Sequence, residues 1–237
     1  MNPQKSAMFT QYGRYLTDIQ NTIMRNEFNT ANEAFEYYYN KVSSEGIEFS
    51  GTRALFNVGF TIHNPLQNAI HSGYRKWSPT YAEREWQWYL SGDPNAEEIA
   101  KKAPIWYKMM DHNGDVRSNY GWQWERNHQL DKVIQMLQDN PETRQATISI
   151  YDGKEIDSYR NDTPCTYAVN FSRINGKLNM AVLMRSNDLW FGFCNDQYCF
   201  SKLQELVAER VGVEVGTYYH HATNLHIYNE FLNRNIK

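Results

Sequence analysis

The apolar positions of this chain follow two periods, and the period changes along it. In residues 1–45 the spacing is three to four: Tyr12, Tyr15, Leu16 and Ile19 share one face, and Ala34, Phe35, Tyr38 and Val42 share another. This predicts two helical pieces, a cap over the core. Residues 54–62 read as a strand after a turn at Gly51-Thr52. Residues 81–90 read as a helix with Gly92 placed to end it. Residues 128–137 read as another, with Leu130, Val133, Ile134 and Leu137 on one face and Asn140-Pro141 as the stop. Residues 146–150 alternate as a strand does. Alternation returns over residues 167–171 and 178–184, and Asn175-Gly176 between them reads as the tight turn of a hairpin. A last helix covers residues 198–211, with Cys199, Leu203, Leu206 and Val207 inward and Gly212 closing it. In His226-Ile227-Tyr228 the alternation puts both polar rings on the same strand face.

The hairpin has a chemical consequence. Cys165 stands at the mouth of its first strand, and Arg185, Ser186 and Asp188 stand at the far end of the second. Pairing brings those ends together. A thiol beside a guanidinium is expected to have a lowered pKa, which makes Cys165 a candidate nucleophile.

Composition narrows the partners. The chain has 237 residues, enough for one domain with a sizeable core, and residues 1–237 are read as a single domain. A net charge of −3 implies no strong pull toward nucleic acid polymer or an anionic membrane. Aromatics make up 15%, with 7 Trp and 17 Tyr, which suits burial of wide flat surfaces or stacking on ring-shaped ligands. Three cysteines, Cys165, Cys194 and Cys199, argue against a disulfide scaffold and for reduced thiols in a cytoplasm. No apolar run reaches the ~18 residues of a membrane span, and the N-terminus lacks a secretion signal. Residues 111–115 imitate the start of a calcium loop without its remainder and read as a turn. Tyr218-Tyr219-His220-His221 has no carboxylate or Cys at ligand spacing, so no metal is expected there.

Pro164-Cys165, the hairpin, and Arg185-Ser186-Asn187-Asp188 with Gly192 four residues on resemble the thymidylate synthase family. Ser118 to Trp122, residues 184–188 and 191–193, and Asn195-Asp196 resemble its phage deoxycytidylate (dCMP) hydroxymethylase branch more narrowly. The resemblance runs over residues 48–228. It implies an α+β fold: a large twisted mixed sheet with helices on one face and the other face packed on a second copy in a homodimer. It implies 5,10-methylenetetrahydrofolate as co-substrate and no metal.

The resemblance also implies roles. Cys165 would add to C6 of the pyrimidine and so make C5 nucleophilic. Arg185 would stabilise the thiolate and touch the phosphate, and Ser186 would donate to it. Tyr120, with water organised by Glu85, would remove the C5 proton. A carboxyl flanked by Trp86 and Trp88 would have a raised pKa suited to that work. Asp188 would fix the ring's carbonyl edge and the folate, and Trp106 would line the folate site. His226 and Tyr228 would bond the sugar 3′-hydroxyl. Arg144 of the partner subunit would reach the phosphate, although Gln145 replaces the family's second Arg. The family's phosphate-gripping loop Arg is absent before Gly51-Thr52. Arg53 either takes its place or is an exposed charge.

The base follows from Asp196, eleven residues after Arg185, where thymidylate synthases carry Asn. A carboxylate accepts from the cytosine amino group, and a proton shared with N3 completes the pair, whereas an ionised Asp repels uracil O4. Thr166, in place of the family's His after Cys, fits the same branch. The family's folate-closing tail does not follow Tyr228, which favours a wetter site and 5-hydroxymethyl-dCMP as product. Reductive transfer to 5-methyl-dCMP is the alternative. A phage that modifies its DNA precursors is the implied setting. Three other readings remain: dUMP as the substrate, a weak relative acting as a nucleotide- or mRNA-binding regulator, and a Cys165 that is only a small buried hydrophobe.

Overall fold

A computed structural model of the chain describes residues 26–159 and 162–232. The helix expected around Tyr12 to Ile19 lies outside the described residues. The strands are β1 (Glu27–Phe28), β2 (Ile47–Phe49), β3 (Thr52–Ile62), β4 (Thr147–Ser149), β5 (Thr166–Ile174), β6 (Lys177–Met184), β7 (Asn187–Asp188) and β8 (Glu214–Tyr228). The principal helices are α1 (Ala31–Glu45), α2 (Pro79–Leu90), α3 (Tyr120–Glu125), α4 (Gln129–Asp139) and α5 (Cys194–Val211).

All eight strands form one mixed sheet in the order β1-β3-β8-β6-β5-β4, with β2 added to β3 and β7 to β8. The last strand, β8, therefore runs through the centre. It is antiparallel to β3 and parallel to β6. The parallel pair needs a crossover, and α5 supplies it. No helix among the described residues is long and apolar enough to cross a membrane.

Local chemistry explains most element ends. Thr30 caps α1, its hydroxyl accepting from Glu33 N at 3.3 Å. Ser78 caps α2 through Tyr81 N at 3.3 Å. The β5–β6 turn puts Asn175 at φ 52° and Gly176 at φ 78°, with Ile174 paired to Lys177. That is the two-residue turn whose left-handed centres favour Asn-Gly. Ser50 and Gly51 close β2 onto β3 in the same way, at φ 51° and 75°. A turn is expected there from sequence, but the short β2 before it is not.

The core forms where one face of the sheet meets the helices. Phe60 of β3 shows how it is knit: its ring lies 5.6 Å from Phe28, 4.7 Å from Tyr38 of α1, 5.8 Å from Phe193 and 5.2 Å from His220 of β8. Losing such a ring from a core costs about 3–5 kcal/mol. Phe200, Leu203 and Val207 of α5 complete the same cluster. Leu206, expected inward, is only partly buried at its edge. On the opposite face, Thr61, Tyr219, Ala181, Leu183 and His221 pair across β3, β8 and β6 and stay partly exposed.

Register shifts interrupt two ladders. Between Leu178 and Met180 the β6–β8 register slips by one residue. The side chain of Asn179 accepts from Thr217 N at 2.8 Å, and Gln204 of α5 donates to Leu178 O at 2.8 Å and Thr217 O at 3.0 Å. Side chains thus satisfy backbone groups that the bulge takes out of the ladder, and they tie α5 to the sheet. The second shift lies between Thr166 and Ala168, one residue past Cys165.

Candidate active site

The hairpin brings Cys165 and Arg185 together as its pairing requires. Arg185 N donates to Cys165 O at 2.9 Å, continuing the ladder past β6. Its guanidinium donates to Pro164 O at 3.0 Å and Thr163 O at 2.7 Å, and Nη2 lies 3.9 Å from Cys165 Sγ. The net effect on the thiol is opposite to the sequence expectation. Burial pushes Cys165 from 9.0 up to about 11; Arg185 pulls it down, but Asp196, Asp162 and Asp188 push it up again. One guanidinium does not outweigh desolvation plus three carboxyls.

Glu85, on α2, acts electrostatically on the Asp196 carboxyl and is 5% exposed. Tyr89, one turn on, donates to its Oε1 at 3.1 Å, while Oε2 is buried with no hydrogen-bond partner among the described residues. Burial raises its carboxyl from an ordinary 4.5 to about 7, against hydrogen bonds from Tyr89 and Tyr81 that lower it. A carboxyl raised in the fold keeps its proton after the unfolded chain has lost it. Stability is therefore lost as pH rises from about 4.5 to about 7 and is unaffected by this group outside that window. At roughly 1.4 kcal/mol per pKa unit the loss is about 3 kcal/mol. Glu85→Gln is accordingly expected to shrink the difference in urea-unfolding free energy between about pH 4 and about pH 8 by that amount. An unchanged difference would mean that the carboxyl is solvated.

Tyr120 begins α3, whose first turn is capped by Asn119 accepting from Trp122 N at 2.7 Å. A Cβ at Gly121 would overlap the Tyr89 carbonyl, so glycine lets α3 approach α2 closely enough to set Tyr120 beside Glu85's helix. The Tyr120 hydroxyl lies 3.4 Å from Thr166 N, next to the nucleophile candidate. Burial, then the charges of Asp196 and Cys165, raise its pKa well above 10. It is thus held as a neutral phenol, able to pass a proton on but not to keep an anion. The Thr166 hydroxyl beside it is buried and has no hydrogen-bond partner among the described residues.

Asp188 has a duty that the sequence pattern does not announce. Its oxygens accept from Trp190 N at 2.9 Å and Phe191 N at 3.0 Å, capping the π-helical turn Leu189–Phe193 that leads into α5. Burial raises its carboxyl, while those two bonds, His226 and Arg75 lower it. In β8, His226 pairs with Asp188 of β7. Its Nδ1 meets Asn224 Oδ1 at 2.9 Å, which makes Nδ1 the protonated nitrogen of the neutral ring and leaves Nε2 free to accept. The Tyr228 ring stands edge-on to it at 5.5 Å.

Asp196, on the first turn of α5, accepts at Oδ2 from Asn187 Nδ2 at 2.8 Å. Burial, then Glu85 and Asp188, raise its carboxyl well above the usual range, and the Asn187 bond opposes them. Cys165, Asp188 and Asp196 all keep some solvent exposure, as groups on the floor of a cleft do.

Cys165, Arg185, Tyr120, Glu85, Asp188, Asp196, His226 and Tyr228 thus come into electrostatic or hydrogen-bonding reach of one another. Trp106 joins them indirectly: its Nε1 donates to the Tyr81 hydroxyl at 2.9 Å, and Tyr81 helps to lower the Glu85 carboxyl. Ser186 is half-buried next to Arg185. Arg53 pairs in β3 with Ile227, on the face opposite His226, and its Nε is buried without a partner. Arg144 is exposed on the loop between α4 and β4. Neither arginine meets the cluster within one chain.

Several members escape sequence reading. Arg75, from a polar loop, sits 5.4 Å over the Phe191 ring and acts on Asp188. Asn187, inside the Arg-Ser-Asn-Asp run, passes for filler there. His220 and Tyr218 invite only a metal reading. In the fold, Tyr218 OH lies 3.0 Å from His220 Nδ1, and His220 Nε2 lies 3.1 Å from Asn187 Oδ1. No group of three or more His, Cys, Asp or Glu side chains among the described residues could hold a metal ion.

Fold and cleft together define a class of α+β protein whose central sheet presents a thiol–guanidinium pair to a ring of carboxyls and phenols. Residues 39–236 match the family model described as thymidylate synthase, and the chain belongs to that family. Two phage relatives called deoxyuridylate hydroxymethyltransferase are each 31% identical. That of Pseudomonas phage M6 aligns over 72% of this chain and 50% of its own length; that of Bacillus phage SP01 aligns over 70% and 47%. Thymidylate synthase 1 of Bacillus spizizenii is 25% identical over 96% of this chain and 81% of its own. The chain thus spans about half the length of the phage relatives.

Proposed function

We propose that this protein transfers a one-carbon unit from 5,10-methylenetetrahydrofolate to C5 of dCMP, giving 5-hydroxymethyl-dCMP. The observation that carries the base assignment is Asp196, a carboxyl at the cleft floor whose pKa is raised by its surroundings. A carboxyl that can share a proton offers one acceptor for the cytosine amino group and one donor for N3. The names of the two phage relatives support hydroxymethyl transfer.

In this reading Cys165 Sγ bonds to C6, and the displaced electron pair makes C5 nucleophilic. Thiolate forms as substrate binds, since the free thiol lies at about 11. Methylenetetrahydrofolate supplies the electrophilic carbon, and the aromatic wall of Trp106, Trp88 and Tyr81 fits a flat pteridine beside the pyrimidine. Tyr120 takes the C5 proton and passes it through water to Glu85, which at about 7 can accept and return protons near neutrality. Loss of tetrahydrofolate leaves an exocyclic methylene, water adds to it, and the thiolate leaves C6. His226 Nε2 and the Tyr228 hydroxyl bind the sugar, Arg185 and Ser186 the phosphate. The half-exposed face bearing Tyr219 and His221 pairs with a second copy, and Arg144 of the partner subunit adds to the phosphate site. A cytoplasmic setting fits such nucleotide chemistry.

Mass spectrometry of dCMP after incubation with the protein and methylenetetrahydrofolate, with absorbance for dihydrofolate in parallel, tests this. A hydroxymethyl gain without dihydrofolate is expected. A methyl gain with stoichiometric dihydrofolate would mean reductive transfer. A second reading, dUMP as substrate, is favoured by the names of the phage relatives. Product from dUMP and none from dCMP would establish it.

A further inference from the structure

Behind Asp196 runs a chain of hydrogen bonds that the proposed chemistry leaves unexplained. Tyr218, His220 and Asn187 are 1%, 0% and 1% exposed. They stand on β8 and β7, adjacent parallel strands, and end at Asp196 Oδ2. Burial drives His220 down to about 3, so its ring is neutral and carries a single N–H. With Nε2 donating to Asn187 Oδ1, Nδ1 accepts from the Tyr218 hydroxyl. The Asn187 amide is then oriented, and its Nδ2 faces the carboxyl.

The direction matters because a neutral carboxylic acid is ambiguous. With the proton on either oxygen it offers one donor and one acceptor. It therefore matches cytosine's N3 and amino group in one state and uracil's O4 and N3–H in the other. An amide N–H fixed on Oδ2 makes that oxygen the acceptor and leaves Oδ1 as the seat of the proton. Gly192 makes this bond possible: a Cβ there would stand 3.0 Å from Asn187 Nδ2 and 3.1 Å from Asp196 Oδ2. Both atoms would have to shift by a few tenths of an ångström, which disturbs their bond.

We propose that Asn187, locked by His220 and Tyr218, is a specificity-determining positioning residue that fixes which oxygen of Asp196 donates to the pyrimidine and so sets the choice between cytosine and uracil. This rests on the reading that Asp196 meets the base. The test is the ratio of kcat/KM for dCMP and dUMP, measured by tritium release from C5, in the wild type, Asn187→Ala and Gly192→Ala. A merely structural Asn187 would lower both values together. Asn187→Ala is expected to move the ratio toward unity by about tenfold or more, chiefly through the preferred nucleotide. Should that variant not fold, Gly192→Ala carries the same expectation. A ratio held within about twofold in whichever variant folds overturns the proposal. A wild type that prefers dUMP would remove the cytosine assignment alone, since the inference concerns the movement of the ratio. If Asp196→Ala leaves the ratio unchanged, the base reading fails and this inference fails with it.

Discussion

Cys165→Ser is expected to lower C5 tritium release by on the order of 10⁴-fold or more, while nucleotide binding changes little. The size follows from the local electrostatics. With the thiol at about 11, only about one molecule in 10³ to 10⁴ carries thiolate at neutral pH before substrate binds. A serine hydroxyl in the same desolvated place, facing the same carboxyls, ionises far less still. The premise can be checked without substrate. Cys194 and Cys199 are fully buried, so mild alkylation reports on Cys165. Its rate with iodoacetamide is expected to rise about tenfold per pH unit from neutrality toward about 11. A plateau below about pH 8 would show that Arg185, 3.9 Å away, does outweigh burial and its acidic neighbours.

Asp196→Asn is expected to shift the preference from the proposed dCMP toward dUMP, with a swing in the kcat/KM ratio on the order of 10³. An amide has a fixed donor and a fixed acceptor; with its NH2 in the place of Oδ2, Asn187 turned to accept from it and His220 in the other tautomer, it pairs with uracil O4 and N3–H without any shared proton. Against cytosine the same amide leaves its N–H facing the amino group, and an unpaired buried polar group costs about 1–3 kcal/mol. The swing therefore combines a gain for one base with a loss for the other. Steady-state kinetics of both nucleotides decide it. A variant that loses both activities in parallel would show that Asp196 serves the chemistry or the fold rather than the base.

Much of the fold was legible because its causes are local. Asn175-Gly176 can only turn tightly, and alternation on either side puts Val169, Phe171, Met180, Val182 and Met184 on the core face. The meeting of Cys165 and Arg185 follows from that register. Leu130, Val133, Ile134 and Leu137 are buried as their spacing demands. The raised carboxyl of Glu85 was legible in direction, since Trp86 and Tyr89 on its own helix help to bury it. The short strands β1, β2 and β7 were not legible. Two or three residues carry no period, and such strands exist only through the partners they pair with.

Charge balance and distant contacts were illegible for a stronger reason. The Cys165 thiol answers to Asp162, Arg185, Asp188 and Asp196 at once. Reading the hairpin alone counts the one cation and misses the burial and the acids. Asn187 and His220 are 33 residues apart, and only the pairing of β7 with β8 joins them. The sequence by itself determined most of the longer helices, the hairpin and the family, and it named the residues proposed to do chemistry, because periodicity, turn geometry and motif spacing act over a few neighbours. The tertiary structure alone decided how acidic each of those residues is and which way Asp196 is held. Desolvation and Coulomb terms sum over everything within a few ångströms, whatever its place in the chain.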